Sequence, residues 1–137
     1  MDKEKKQKLQ QKYLEMQFIN QQIIQVQKQL EMLANQMQEI HITKESLDEI
    51  AGINPGTEIL VPLASGIFIK AQINDNKEAI VNVGAGTAVK KTIPETKELI
   101  GSQYAEIESF RKELESQLQQ LLAKAKHFEK EISELAE

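Results

Sequence analysis

Few side chains in this sequence have the type and spacing that catalysis requires. The two histidines, His41 and His127, have no acidic or hydroxyl partner at the spacing of a catalytic motif. The sequence contains no cysteine, which excludes thiol catalysis, disulfide bonds and thiolate metal sites. We therefore interpret both histidines as solvated helix residues, and we predict a protein that is not an enzyme and uses no cofactor or metal.

The segment Gly84-Ala85-Gly86 is the nearest approach to a phosphate-binding loop. It lacks the third glycine of a dinucleotide-binding fingerprint, and a predicted strand rather than a helix follows it. A tight turn is the better interpretation. The many carboxylates are interspersed with lysines, as on the solvated surface of a coiled coil.

Length and charge narrow the remaining classes of function. The chain has 137 residues, enough for one domain, and a net charge of −4, whereas nucleic acids and anionic membranes attract basic surfaces. No apolar run approaches the roughly 18 residues of a membrane-spanning helix, and the start, MDKEKKQK, does not lead into the apolar core of a signal peptide. We expect a soluble, cytoplasmic protein that binds neither nucleic acid nor membrane.

The N-terminal third repeats apolar side chains every seven residues. Two such rows form the a and d seam of a coiled coil, which only Lys12 interrupts. No proline or glycine precedes Gly52, so a long helix is predicted over residues 3–42. The rows are Leu9, Met16, Ile23, Leu30 and Met37, and Ile19, Val26, Leu33 and Ile40.

The C-terminal third carries a matching seam. Thr92 and Glu95 have the spacing of a capping box, and Pro94 lies in the tolerant first turn, so a second long helix begins there. Arg111 is the one charged residue in this seam. The rows are Ile93, Ile100, Ile107, Leu114, Leu121, Phe128 and Leu135, and Tyr104, Leu118, Ala125 and Ile132. Because the two seams have similar lengths and flank the same segment, we predict that the helices pair antiparallel.

Between the helices, side chains alternate with the period of two that is typical of strands. Pro62 has no amide donor, so its strand should lie at an edge or carry a bulge. Three turns that supply positive φ angles are predicted at Ala64-Ser65-Gly66, Asp75-Asn76-Lys77 and Gly84-Ala85-Gly86. The predicted hairpins pair residues 58–63 with 66–74 and residues 78–83 with 87–92.

A separate short helix is predicted just before the strands. Thr43 is a candidate N-cap, Ser46 and Glu49 have capping-box spacing, and Gly52 is a candidate end. The chain is thus divided into three parts. These are an N-terminal coiled-coil helix over residues 1–42, a short helix with two β-hairpins over 43–92, and a C-terminal coiled-coil helix over 93–137.

Four short strands cannot bury their own apolar surface. The two helices use their apolar faces on each other, so we expect other chains to cover the strands and predict an oligomer. The residues predicted to form the shared oligomeric core are Ile59, Val61, Leu63, Ile67, Ile69, Ile73, Val81, Val83 and Val89.

The core sequences EILVPLASGIFIKAQI and AIVNVGAGTAVKK, set in the order helix, two hairpins, helix, resemble the α-type subunit of prefoldin. The resemblance covers the whole chain in architecture and is most specific at residues 60–70 and 81–91. It implies an α+β fold: a long antiparallel two-helix coiled coil joined by two β-hairpins, which assemble into an oligomeric β-barrel platform. It implies a hetero-hexamer of two α-type and four β-type subunits, which binds unfolded polypeptides without ATP and transfers them to a group II chaperonin.

Apolar residues near the free end of the helix pair are the predicted contacts for unfolded polypeptides. Leu14 and Phe18 lie there outside the seam, as Ile24 and Met32 do farther along. The full predicted set is Leu9, Tyr13, Leu14, Phe18, Phe128, Ile132 and Leu135. The alternative is a structural coiled-coil scaffold that binds no unfolded chains, and suppression of aggregation distinguishes the two.

Overall fold

The computed structural model describes residues 2–136. Its elements, in chain order, are α1 (Lys3–Ala51), β1 (Glu58–Ala64), β2 (Ile67–Gln72), β3 (Glu78–Gly84), β4 (Thr87–Thr92) and α2 (Ile93–Ala136). The predicted order of helix, two hairpins and helix is confirmed. The chain divides into two compact units: a coil unit, Met1–Met37 with Glu106–Glu137, and a hairpin unit, Gln38–Ala105.

In the coil unit, α1 and α2 pack side by side and antiparallel. Early residues of α1 meet late residues of α2, as Lys12 Nζ does at 2.6 Å from Glu131 Oε2. The core is formed by Ile19, Ile23 and Ala125, against which Met16, Leu118, Leu121 and Phe128 pack. All of these residues belong to the predicted seams, so the seven-residue rows identify the buried face of each helix.

Helix α1 continues without a break to Ala51, and the prediction of a separate short helix starting at Thr43 is wrong. The hydroxyl of Thr43 donates to the carbonyl of Glu39 (2.8 Å) and that of Ser46 donates to Ile42 (2.9 Å). Both side chains thus bond back to the helix that they occupy, instead of capping a new one. Leu47 is buried, which holds this last part of α1 in the hairpin unit.

The C-terminus of α1 is capped by a residue that is distant in the sequence. The backbone amide of Gly52 donates to the carbonyl of Glu49, as expected for the predicted end. The side-chain amide of Asn76, in the loop between the hairpins, donates to the carbonyls of Ile53 (2.5 Å) and Ala51 (3.2 Å). These bonds satisfy carbonyl groups that a helix end leaves without partners.

The start of α2 has the predicted capping arrangement. The backbone amide of Glu95 donates to Thr92 Oγ1 (3.2 Å), and that hydroxyl donates to Glu95 Oε1 (3.0 Å). Thr96 is buried and donates its hydroxyl to the carbonyl of Thr92. Next to this turn, the Lys97 amine forms an ion pair with Asp48 of α1.

The two hairpins are separate two-stranded antiparallel sheets, β1 with β2 and β3 with β4. Both have one irregularity, between Pro62 and Ala64 in the first and between Asn82 and Gly84 in the second. An edge strand or a bulge was expected at Pro62, and a bulge is present. Each paired position of the first hairpin recurs 20 positions later: Glu58 pairs with Gln72, and Glu78 pairs with Thr92. The hairpins are thus a tandem structural repeat.

Two of the three predicted turns use positive φ angles. Gly66 and Gly86 have φ of 79° and 72° at the tips of the hairpins. The turn at Asp75-Asn76-Lys77 instead forms when the Lys77 amide donates to Asp75 Oδ1 (2.8 Å), and no residue in it is among the described residues with positive φ. An Asx turn supplies this reversal without a left-handed residue.

Candidate functional site

The coil unit carries an open apolar groove of about 740 Å³ between α1 and α2. Leu14 and Phe18 project from α1, and Phe128 lies on the α2 side. The groove is lined by Leu14, Glu15, Phe18, Ile19, Gln22, Lys124, His127 and Phe128.

Helix periodicity explains why the two α1 side chains are exposed. Residues four apart share one face of a helix, and Leu14 and Phe18 lie on a face beside the seam rather than in it. Leu14 is 66% exposed and Phe18 is 60% exposed. Adjacent large apolar side chains exposed to this extent are a feature of binding surfaces.

Lys12 occupies a seam position beside this groove and is held by two groups of α2. Its Nζ lies 2.6 Å from Glu131 Oε2 and 5.0 Å from the centre of the Phe128 ring. Hydrogen bonding to Lys12 lowers the pKa of the Glu131 carboxyl, and the same contact raises the pKa of the Lys12 amine. An amine over an aromatic face adds a cation–π attraction. A charged residue in the seam is therefore accommodated by its partners on the other helix.

The two histidines are exposed, as expected, but each has an acidic neighbour that the sequence analysis missed. His127 Nε2 lies 2.7 Å from Glu131 Oε1, and His41 Nε2 lies 3.2 Å from Glu45 Oε1. Both are pairs four residues apart on one helix, which is the spacing of a surface helix contact. His41 belongs to the hairpin unit and His127 to the coil unit.

The structure brings together only part of the predicted client-contact set. Leu14, Phe18 and Phe128 line one groove, whereas Leu9, Tyr13, Ile132 and Leu135 do not line it. Tyr13 is exposed, and the remaining three are half-buried at the seam. The role of the set in binding remains a prediction.

Two further exposed apolar residues of α2, Phe110 and Leu122, were not identified from the sequence. Both lie outside the seven-residue rows, which is the signal that identified Leu14 and Phe18 on α1. The same test applied to α2 would have found them.

One face of each hairpin carries the predicted oligomerisation residues. Val61 pairs across the first hairpin with Ile69, and Val81 pairs across the second with Val89. Ile59, Val61, Ile73, Val81 and Val89 are half-buried, and Leu63, Ile67, Ile69 and Val83 are exposed. Leu63 and Val83 have no cross-strand partner, because each is the extra residue of its bulge.

The opposite face of the hairpins also exposes large apolar side chains. Leu60, Phe68 and Ile80 are all exposed, and Ile80 has the largest exposed fraction, 74%. Within residues 2–136, each of the four strands also has one pairing edge that no other strand occupies. Exposed faces and open strand edges together are the features through which sheets associate with other chains.

In residues 2–136, no three His, Asp or Glu side chains lie close enough together to hold a metal ion. Neither helix, over its described length, is long and apolar enough to cross a membrane.

Comparison with known proteins assigns the class that these features define. The family model described as Prefoldin subunit matches residues 19–137. The chain therefore belongs to the prefoldin family, whose members are chaperone subunits. A search of curated proteins found no match.

A solved structure supports the same fold. It is described as filamentous PFD from Methanocaldococcus jannaschii, determined by cryo-electron microscopy, and it superposes with a TM-score of 0.75 at 19% identity. The match covers 84% of this chain and 95% of the other. The two long helices and two antiparallel hairpins are thus the prefoldin fold.

Proposed function

We propose that this chain is the α-type subunit of a prefoldin-like co-chaperone. It binds unfolded polypeptides without ATP through exposed apolar residues of the coil unit, and it transfers them to a group II chaperonin in the cytoplasm. The observation that carries the proposal is the exposure of Leu14 and Phe18 at the apolar groove. Binding without a nucleotide depends on apolar contact, and apolar contact is not specific to one sequence.

The α-type assignment rests on the two hairpins, which resemble the α-type rather than the single-hairpin β-type pattern. The expected assembly is a hetero-hexamer of two α-type and four β-type subunits, joined through a β-barrel built from the hairpins. Four unoccupied strand edges in one described chain favour partners that supply further strands. Mixing with a β-type subunit should therefore change the mass measured by light scattering. An unchanged homo-oligomeric mass would argue against this partner.

The mass of the assembly that this chain forms without a partner should also be measured, because the M. jannaschii structure is described as filamentous. A filament of this chain without a partner would replace the hexamer as its assembly.

The binding role is tested by suppression of client aggregation. We expect Leu14→Gln with Phe18→Gln to reduce suppression severalfold while helix content is preserved, because glutamine is a good helix former. The matched control is Ile24→Gln with Met32→Gln, since these α1 residues are 51% and 63% exposed but do not line the groove. Equal loss in both variants would show that general surface hydrophobicity, rather than the groove, binds the client.

A truncation gives a second test. Deleting residues 1–14 and 129–137 removes most of the predicted client-contact set and no predicted oligomerisation residue. The assembly should persist with reduced suppression of aggregation, and weak contacts on several subunits should make the loss steep. If the wild-type protein itself suppresses no aggregation, the structural scaffold becomes the better account of the chain.

A further inference from the structure

The margin of the apolar groove in the coil unit carries charged side chains, and one of them, Lys124, has no acidic partner among the described residues. Lys124 and His127 of α2 line it together with one acidic residue, Glu15 of α1. Glu15 already faces Lys12, at 3.9 Å. Among the described residues, no ion-pair partner is found for Lys124, so its amine is available to a bound molecule.

Lys124 lies in a longer stretch of the coil unit without acidic residues. On α2, no acidic residue lies between Glu115 and Glu129, and on α1 none lies between Glu15 and Glu31. Lys28, Lys124 and Lys126 fall in these stretches. The chain carries a net charge of −4, so these stretches, which include the Lys124 side of the groove, are basic segments of an acidic protein.

We propose that the groove selects unfolded segments in which an aromatic or large aliphatic side chain is flanked by acidic residues. This rests on the proposed function and specifies its substrate class. The apolar side chain contacts Leu14, Phe18 and Phe128, and a neighbouring carboxylate pairs with Lys124. A lysine side chain can pack its long stem along an apolar surface while its amine stays at the edge. Lys124 can therefore contact both the apolar side chain and the carboxylate of such a segment.

Charge complementarity at the edge of an apolar site contributes selectivity rather than most of the affinity. Because exposed ion pairs contribute little, we expect the acidic flank to improve binding by roughly threefold to tenfold. The net negative charge of the protein acts against acidic peptides, so a preference for them has to arise from the local basic residues. The preference should weaken at high salt, since salt screens exposed charges.

The test uses two fluorescent peptides with the same central Leu-Phe-Leu and with either aspartate or lysine on both sides. Their affinities for the intact assembly are measured by fluorescence anisotropy at low and high salt. We expect the aspartate peptide to bind more tightly, and we expect Lys124→Glu to remove or reverse the difference. The matched control is Lys112→Glu, which makes the same change in net charge on an exposed α2 residue that does not line the groove.

Equal affinity of the two peptides for the wild-type protein would overturn the proposal, as would tighter binding of the lysine peptide. An equal effect of Lys112→Glu and Lys124→Glu would also overturn it, because the preference would then come from the charge of the whole coil. If these results occur while client aggregation is still suppressed, the proposed function stands and only the selectivity is wrong. If neither peptide binds and aggregation is not suppressed, both are wrong.

Discussion

We expect a glycine-to-alanine substitution to have opposite effects on stability at Gly101 and Gly66, because the two glycines differ in backbone conformation. An added Cβ meets no atom within 4 Å at either glycine, but Gly66 has a φ of +79° and Gly101 lies inside helix α2. Gly101→Ala should raise the free energy of unfolding by about 1 kcal/mol, because alanine favours the helix. Gly66→Ala should lower it by about 1 kcal/mol, because an L-residue is strained at that φ. Chemical denaturation followed by circular dichroism measures both, and two changes of the same sign would contradict the argument.

The ion pair between Lys12 and Glu131 makes the stability of the coil unit dependent on pH. The pKa of Glu131 lies below its ordinary value of 4.5, so its contribution is present above 4.5 and is lost as the pH falls through the lowered value. The pKa of Lys12 lies above its ordinary value of 10.5, so its contribution is present below 10.5 and is lost as the pH rises through the raised value. Both contributions are therefore present across the neutral range.

Lys12→Met should raise the pKa of Glu131 toward its ordinary value, because the hydrogen-bonded cation is the largest cause of the lowering. A ¹³C NMR titration of the Glu131 carboxyl measures this directly. Lys8→Met is the control, since Lys8 is an exposed α1 residue with no ion pair to Glu131. If the Glu131 pKa is the same in the wild type and in Lys12→Met, the ion pair does not form in solution.

At the scale of secondary-structure elements, the Asn76 cap connects the inter-hairpin loop to the end of α1. Asn76→Ala removes the donor to the carbonyls of Ala51 and Ile53. We expect it to lower the free energy of unfolding by about 1 to 2 kcal/mol. Asn76→Asp should destabilise the protein more than Asn76→Ala does, since a carboxylate would face carbonyl oxygens at the negative end of a helix. Hydrogen exchange at the amides of residues 48–53 locates the effect.

Asn74→Ala is the control for this loop, because Asn74 is exposed and takes no part in the cap. If exchange in residues 48–53 accelerates as much in Asn74→Ala as in Asn76→Ala, the loop as a whole, and not the cap, protects the helix end.

The elements could be predicted where the signal was periodic. Both seams and both hairpins were found, because patterns of seven and two residues report directly which face is buried. The bulge at Pro62 was one of two outcomes expected of a strand residue without an amide donor. The end of α1 was misjudged because Thr43 and Ser46 are residues that also cap helices. Leu47 lies seven residues after Ile40 and continues the α1 row, so extending the seam would have predicted the unbroken helix.

The candidate site was less predictable than the elements. Leu14 and Phe18 were identified because they lie off the seam, and Phe128 because it lies near the free end, but Lys124 was not identified as part of the groove. Which residues of two helices meet depends on their register, and the seven-residue rows leave several registers open. The Asn76 cap has no sequence signal, since its partners lie 23 and 25 residues away along the chain.

For the whole molecule, the hairpins rather than the coil unit should hold the assembly together. Burying each aliphatic side chain of the hairpins contributes about 1.5 to 3 kcal/mol. Ile69→Asp with Val81→Asp should therefore give monomers or insoluble protein, as measured by multi-angle light scattering. The matched control is Lys70→Asn with Asn82→Asp, which makes the same change in net charge, because each lies next in sequence to a mutated residue but on the other face of its strand. A double mutant with the wild-type mass would exclude the hairpin core.

The tandem repeat of the hairpins also bears on how large an assembly can grow. Because the second hairpin repeats the register of the first 20 positions later, a chain that assembles through its hairpins, as proposed, would be a bifunctional monomer with two similar reactive ends. A partner with a single hairpin would be a monofunctional monomer that terminates growth. The ratio of the two chains, more than the strength of any one strand contact, would then set how far assembly proceeds before it stops.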